Sequence, residues 1–87
     1  MTDNIFNDLG FDSAEASSLK LRSQLMLAIK KYVKSNHLTQ AQAADIMGVD
    51  QPRINKILSG HIELFTIDKL VTMLERAKIH VTLKLAA

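Results

Sequence analysis

The sequence predicts an all-α domain of four to five helices followed by a short C-terminal β-strand. Three observations lead there. Apolar residues recur at helical spacing from Leu21 through Val33. Capping residues (Asp12, Thr39, Asp50, Thr66) stand before each apolar-periodic run. Finally, Ile79, Val81, Leu83 and Leu85 alternate with His80, Thr82 and Lys84, the period of a half-buried strand.

Each element has its own local reason. Residues 1–12 form a leader in which Ile5, Phe6, Leu9 and Phe11 stand among Asn and Asp. Four large apolar residues in an acidic stretch suggest docking against another surface, and Gly10 is a plausible break. Asp12, with Glu15 three positions on, resembles a capping pair, and Ser13 is an alternative cap. A long helix is expected from Ser13 to Ser35. Leu21, Leu25, Ala28 and Tyr32 would form its inner stripe, widened by Met26, Ile29 and Val33. Lys20, Arg22, Lys30, Lys31 and Lys34 would lie outside. Ser35-Asn36-His37 ends it.

Thr39 caps a second helix that stops at Gly48, where a positive φ is needed. Asp50 caps a third, from Gln51 to about Leu58. Pro52 falls in its first turn, where a missing N–H costs little. Ser59-Gly60 closes it. Phe65 or Thr66 opens a fourth helix that would bury Ile67, Leu70, Val71 and Leu74. Residues 13–77 thus make one domain and residues 78–87 the strand. A lone strand cannot satisfy its own backbone, so pairing with the same strand of a second copy is expected. The rival reading is that residues 79–85 continue the fourth helix or fray.

Composition narrows the function classes. Eighty-seven residues make one small domain, and there is no cysteine for a disulfide framework or a thiolate zinc site. The opening residues lack a basic and apolar signal pattern, and no apolar run reaches the roughly 20 residues of a membrane span. A cytoplasmic location is therefore expected. Net charge is only +2, but residues 1–15 carry four acids and no Lys or Arg. The remainder sets eleven cations against five acids, and such a basic body suits phosphate backbones. His37, His61 and His80 show no metal-ligand spacing, and neither a nucleophile elbow nor a glycine-rich phosphate loop is present. Neither catalysis, a cofactor nor a metal is expected.

The most informative stretch is residues 40–59, QAQAADIMGVDQPRINKILS. Ala43 and Ala44 are small where two helices must approach. Met47, Val49, Ile54 and Ile57 fill the space beneath the turn. Gln51, Arg53, Asn55 and Lys56 are then left to face solvent or a ligand. Gln pairs with adenine and Arg with guanine through bidentate hydrogen bonds, and Lys reaches bases or phosphate. Gln40 and Gln42 open the preceding helix, where free N–H groups and amide side chains suit phosphate. Ser59, His61 and Lys69 stand within plausible reach of phosphate. Taken singly each is an ordinary surface residue; together, opposite a correctly spaced apolar set, they predict a helix-turn-helix on double-stranded DNA.

The stretch LTQAQAADIMGVDQPRINKILSG resembles the core of the lambda-repressor-like (Xre, or Cro/CI-type) regulators. The Leu-Thr-Gln opening, the Ala-Ala pair, the Gly-Val turn and the Ile-x-x-Ile-x-x-Gly close carry the likeness, over about residues 20–77. Leu9-Gly10-Phe11, Leu25-Met26 with Ile29, and Gln51-Pro52 through Met73-Leu74 further resemble the HigA-like antitoxin subfamily. The resemblance implies a dimeric repressor on a palindromic operator. It also implies, as the alternative, an antitoxin that neutralises a RelE-like toxin and regulates its own synthesis. By the same resemblance Gln51, Arg53 and Lys56 match base contacts, with Asn55 nearby, and Gln40 matches a phosphate contact. Asp50 departs from the usual Ser or Thr, so its capping role must hold the acid close to the backbone.

Overall fold

The computed structural model describes residues 9, 10 and 12–87. Ile5, Phe6 and Phe11 of the leader lie outside the described residues; Leu9 is 69% exposed and Gly10 turns with φ +94°. Among the described residues there are four α-helices and no strand. They are α1 (Ser13–Ser35), α2 (Gln40–Met47), α3 (Gln51–Leu58) and α4 (Ile67–Arg76), with a 3-10 turn at Ile62–Leu64 before α4. The first of these is the long helix against which α3 and α4 pack, while α2 packs on α3 and α4. No helix among the described residues is long and apolar enough to cross a membrane.

Every helix start follows from its cap. Asp12, Thr39, Asp50 and Thr66 each accept a hydrogen bond from the backbone N–H three residues on, which satisfies one orphan donor of the first turn. The Glu15 N–H on Asp12 holds that carboxyl below its usual range.

The helix ends share one device. After each helix one residue turns left-handed, at His37 (φ 53°), Gly48 (68°), Gly60 (81°) and Lys78 (65°). The next N–H then reaches back to a carbonyl five residues earlier: Leu38 to Val33, Val49 to Ala44, His61 to Lys56 and Ile79 to Leu74, at 2.9–3.0 Å. This is the Schellman closure. Leu38, Val49 and Ile79 also pack onto the core, so three of the four closures are covered by an apolar residue. Only two use glycine. His37 and Lys78 accept the left-handed strain of an L-residue.

The core is built from Met26, Ile29 and Val33 of α1, Ala43, Ala44 and Met47 of α2, Ile54 and Ile57 of α3, and Leu70, Met73 and Leu74 of α4, closed by Phe65 and Ala77. The α1 stripe is therefore rotated from the expected one. Met26, Ile29 and Val33 form its centre, Leu25, Ala28 and Tyr32 flank it, and Leu21 is 45% exposed. Nor does Arg22 lie outside. It is part-buried, donating to the Phe65 carbonyl at 3.4 Å and to Ser18 Oγ at 3.1 Å. In α4, Met73 is buried, whereas Ile67 and Val71 are half-buried.

The strand expected over 79–85 is not formed, and among the described residues there is no partner strand for it. Instead Glu75 clasps the start of the tail. Its carboxylate accepts the Val81 N–H at 2.8 Å and meets His80 Nδ1 at 3.0 Å. Ile79 and Val81 pack on the core, while Leu83 and Leu85 stand 78% and 84% exposed.

Two expectations follow. The backbone at Gly48 is left-handed, and an added Cβ would lie 2.7 Å from Arg76 Nη1. Gly48→Ala should cost about 1–2 kcal/mol by chemical denaturation, from the left-handed strain. The clash is with a flexible side-chain end, so Arg76→Ala should recover only a minor part of that loss; full recovery would show that crowding, not φ, reserves the position for glycine. The second concerns pH. The Val81 N–H, and after it His80, hold the Glu75 carboxyl below the usual glutamate range. The clasp is thus fully present above that range and is lost as pH falls through the lowered value. The protection factor of the Val81 amide, its exchange rate relative to an unstructured peptide at the same pH, should fall at acid pH in the native chain, and at neutral pH in Glu75→Ala.

Candidate nucleic-acid interface

The site is the α2–turn–α3 unit. Thr39 and Gln42 form a reciprocal capping box: the Gln42 N–H donates to Thr39 Oγ1 at 3.1 Å and the Thr39 N–H donates to Gln42 Oε1 at 2.9 Å. That leaves the Gln40 and Ala41 N–H groups open at the head of α2, where the helix dipole favours an anion. Gln40 is half-buried beside them. Gln42 uses its amide oxygen on the cap, so only its NH2 group remains for a phosphate.

At the turn, the Val49 N–H closes on Ala44. Asp50 then starts α3, its Oδ1 accepting from the Arg53 N–H at 2.9 Å. The acid expected to be awkward beside phosphate is thus tied to its own backbone. Its other oxygen lies 3.8 Å from Arg53 Nη1, both side chains being more than half exposed. Such a pair is weak in water, so Arg53 can exchange Asp50 for a stronger partner.

Successive residues of a helix turn by about 100°, which fixes the two sides of α3. Ile54 and Ile57 are fully buried, with Leu58 beside them half-buried. Gln51, Pro52, Arg53, Asn55 and Lys56 are exposed. Pro52, Asn55 and Lys56 occupy the middle of the free arc, and Gln51 and Arg53 stand at its two rims, Arg53 next to Asp50. Gln40 of α2 joins Gln51, Pro52 and Asn55 of α3 around one shallow hollow. The structure therefore brings Gln40, Gln51 and Asn55 together, with Lys56 on the same face. Ser59 caps the far end of α3 and is exposed. It is about 12 Å from the start of that helix at 1.5 Å per residue, roughly the width of a major groove.

Pro52, which the sequence marks as a helix-starting residue, also lies exposed on the outward face of α3. Its place between Gln51 and Lys56 on the helical wheel was the available signal. An exposed apolar ring there suits a thymine methyl. Of the more distant residues, His61 lies 3.7 Å from Glu63 and Lys69 is half-buried on α4.

The helix-turn-helix domain family matches residues 5–86. The chain belongs to that family. No curated protein matches it. This helix-turn-helix domain is accordingly a DNA-binding regulator at the level of the family. The match runs from within the leader through the tail, so the segment after α4 belongs to the family unit and not only the helices.

Arg53→Ala should relax discrimination at one base position and cost about 1–3 kcal/mol of binding. Gln40→Ala should weaken all sequences alike. Comparing the two against a panel of single-base operator variants checks both; a uniform loss from Arg53→Ala would assign it to phosphate.

Proposed function

We propose that this chain is a sequence-specific transcriptional repressor that binds a palindromic operator as a homodimer. One observation carries the reading. The polar face of α3 is free, its apolar face is spent in the core, and the open head of α2 lies beside it. On this reading Gln51, Asn55, Lys56 and Arg53 meet base edges, with Pro52 against the groove floor. Gln40, Gln42 and Ser59 meet phosphates on the two lips of the groove. Two such helices, about 34 Å apart, would enter successive major grooves, and occupancy would block polymerase. Dimerisation proceeds through the tail, whose alternating residues 79–85 form a strand only when a second tail completes it.

The leader supports a second role. Its acidic, apolar composition, with Leu9 exposed, suits an antitoxin that captures a small basic RelE-like toxin while the helical body holds DNA. No catalytic, cofactor or metal role is proposed.

Salt titration tests the first reading. Affinity for operator duplex should fall steeply between about 50 and 200 mM salt, as expected when phosphates are neutralised; a flat response would remove DNA as the partner. Deleting residues 1–11 should leave that behaviour intact, and abolish toxin capture if the second role holds.

A further inference from the structure

The tail carries information on how two copies would meet. An apolar groove runs between α1, the start of α4 and the tail, lined by Leu21, Leu25, Ile67, Val71, Val81 and Leu83. The tail is one wall of this groove, and its next apolar residue, Leu85, projects beyond it, 84% exposed. A second copy is the occupant that supplies both a matching leucine row and the missing backbone partners.

The Glu75 clasp decides which edge of the tail is open. In an extended strand the N–H and C=O of one residue point to the same side, and alternate residues point oppositely. The Val81 N–H points inward, to Glu75 of its own chain. The backbone groups of His80, Thr82, Lys84 and Ala86 therefore belong to the outer edge. Among the described residues, no backbone–backbone bond outside the helices engages residues 82–87.

We propose that two tails pair antiparallel across this outer edge, about a two-fold axis at Leu83. The proposal rests on the dimer reading above and adds its register. With the axis at Leu83, Thr82 faces the partner's Lys84 and His80 faces the partner's Ala86, so all four outer-edge residues of each tail are paired. An axis at Thr82 would set Ala86 against the partner's Lys78, whose left-handed backbone cannot extend the ladder. An axis at Lys84 would set two lysines directly opposite, which is unfavourable. Of these three axes, the one at Leu83 avoids both faults. It also places Leu83 against its own copy and lays the partner's Leu85 opposite Val81, at the groove lined by Leu21, Leu25, Ile67 and Val71. Glu75 is then a positioning residue: it orients the edge and touches no partner atom.

The chain has no cysteine, so single cysteines report the register directly. Leu83, Thr82 and Lys84 are all exposed, and replacing them leaves the core untouched. Residues opposite one another at a non-hydrogen-bonded antiparallel site have Cα atoms about 4.5 Å apart, within the range a disulfide spans. Under mild oxidation Leu83→Cys should cross-link to covalent dimer at least about tenfold faster than Thr82→Cys or Lys84→Cys. Sedimentation of the unmodified chain runs alongside. A dimer in which Thr82→Cys or Lys84→Cys links fastest overturns the register and leaves the dimer standing. A dimer in which none links removes the tail from the axis. A chain that sediments as monomer up to high concentration overturns the register and the dimer together.

Discussion

The 3.0 Å hydrogen bond from the Val49 N–H to the Ala44 carbonyl is the constraint on which the rest depends. It forms because the backbone at Gly48 turns left-handed, and it ends α2 abruptly enough for Asp50 to start α3 two residues later. The short turn brings Ala43, Ala44 and Met47 over Ile54 and Ile57, all buried. Once those two isoleucines are spent in the core, helical geometry leaves Gln51, Pro52, Asn55 and Lys56 no direction but outward. The candidate interface is thus a consequence of the packing beneath it. Arg76, at the end of α4, lies over the same glycine, so the turn is buttressed by the element that leads into the tail.

Much of this was legible because it is local. The bounds of α1, α2 and α3 agree with the caps and stops read along the chain: Asp12, Thr39 and Asp50 at the starts, Asn36, Gly48 and Ser59-Gly60 at the ends. The outward set on α3 followed from the same spacing. Pairing information was less legible. On α1, apolar residues at 19, 21, 25, 26, 27 and 29 cover so much of the helix that periodicity alone did not say which stripe faces the core. Contact with α3 and α4 decided for Met26, Ile29 and Val33. Arg22 looked like a solvent residue, and only the nearby Phe65 carbonyl and Ser18 draw it in. The left-handed Lys78 left no sequence signal, since lysine has no preference for that conformation.

The tail shows the same division. Its alternation was visible, but the ladder it implies finds no partner strand among the described residues, where the tail is held by a carboxylate instead. The Glu75 clasp and the open edge beyond it connect the dimer question to the DNA question. A two-fold axis at the tail would fix the spacing of two α3 helices without either touching the other. Charge is arranged compatibly: acids dominate residues 1–15 and cations the body, while the single acid at the start of α3 is tied to its own backbone as a cap.

The central claim is that the outward face of α3, with the head of α2, is the surface that meets DNA. Backbone amide chemical shifts on titration with a short operator duplex test it most directly. The account predicts the largest changes at Gln40 and Ala41, from Gln51 through Lys56, and at Ser59 and Gly60, with α4 and the far side of α1 quiet. Changes concentrated on the Leu21–Val71 groove or the tail, with α3 silent, would contradict it.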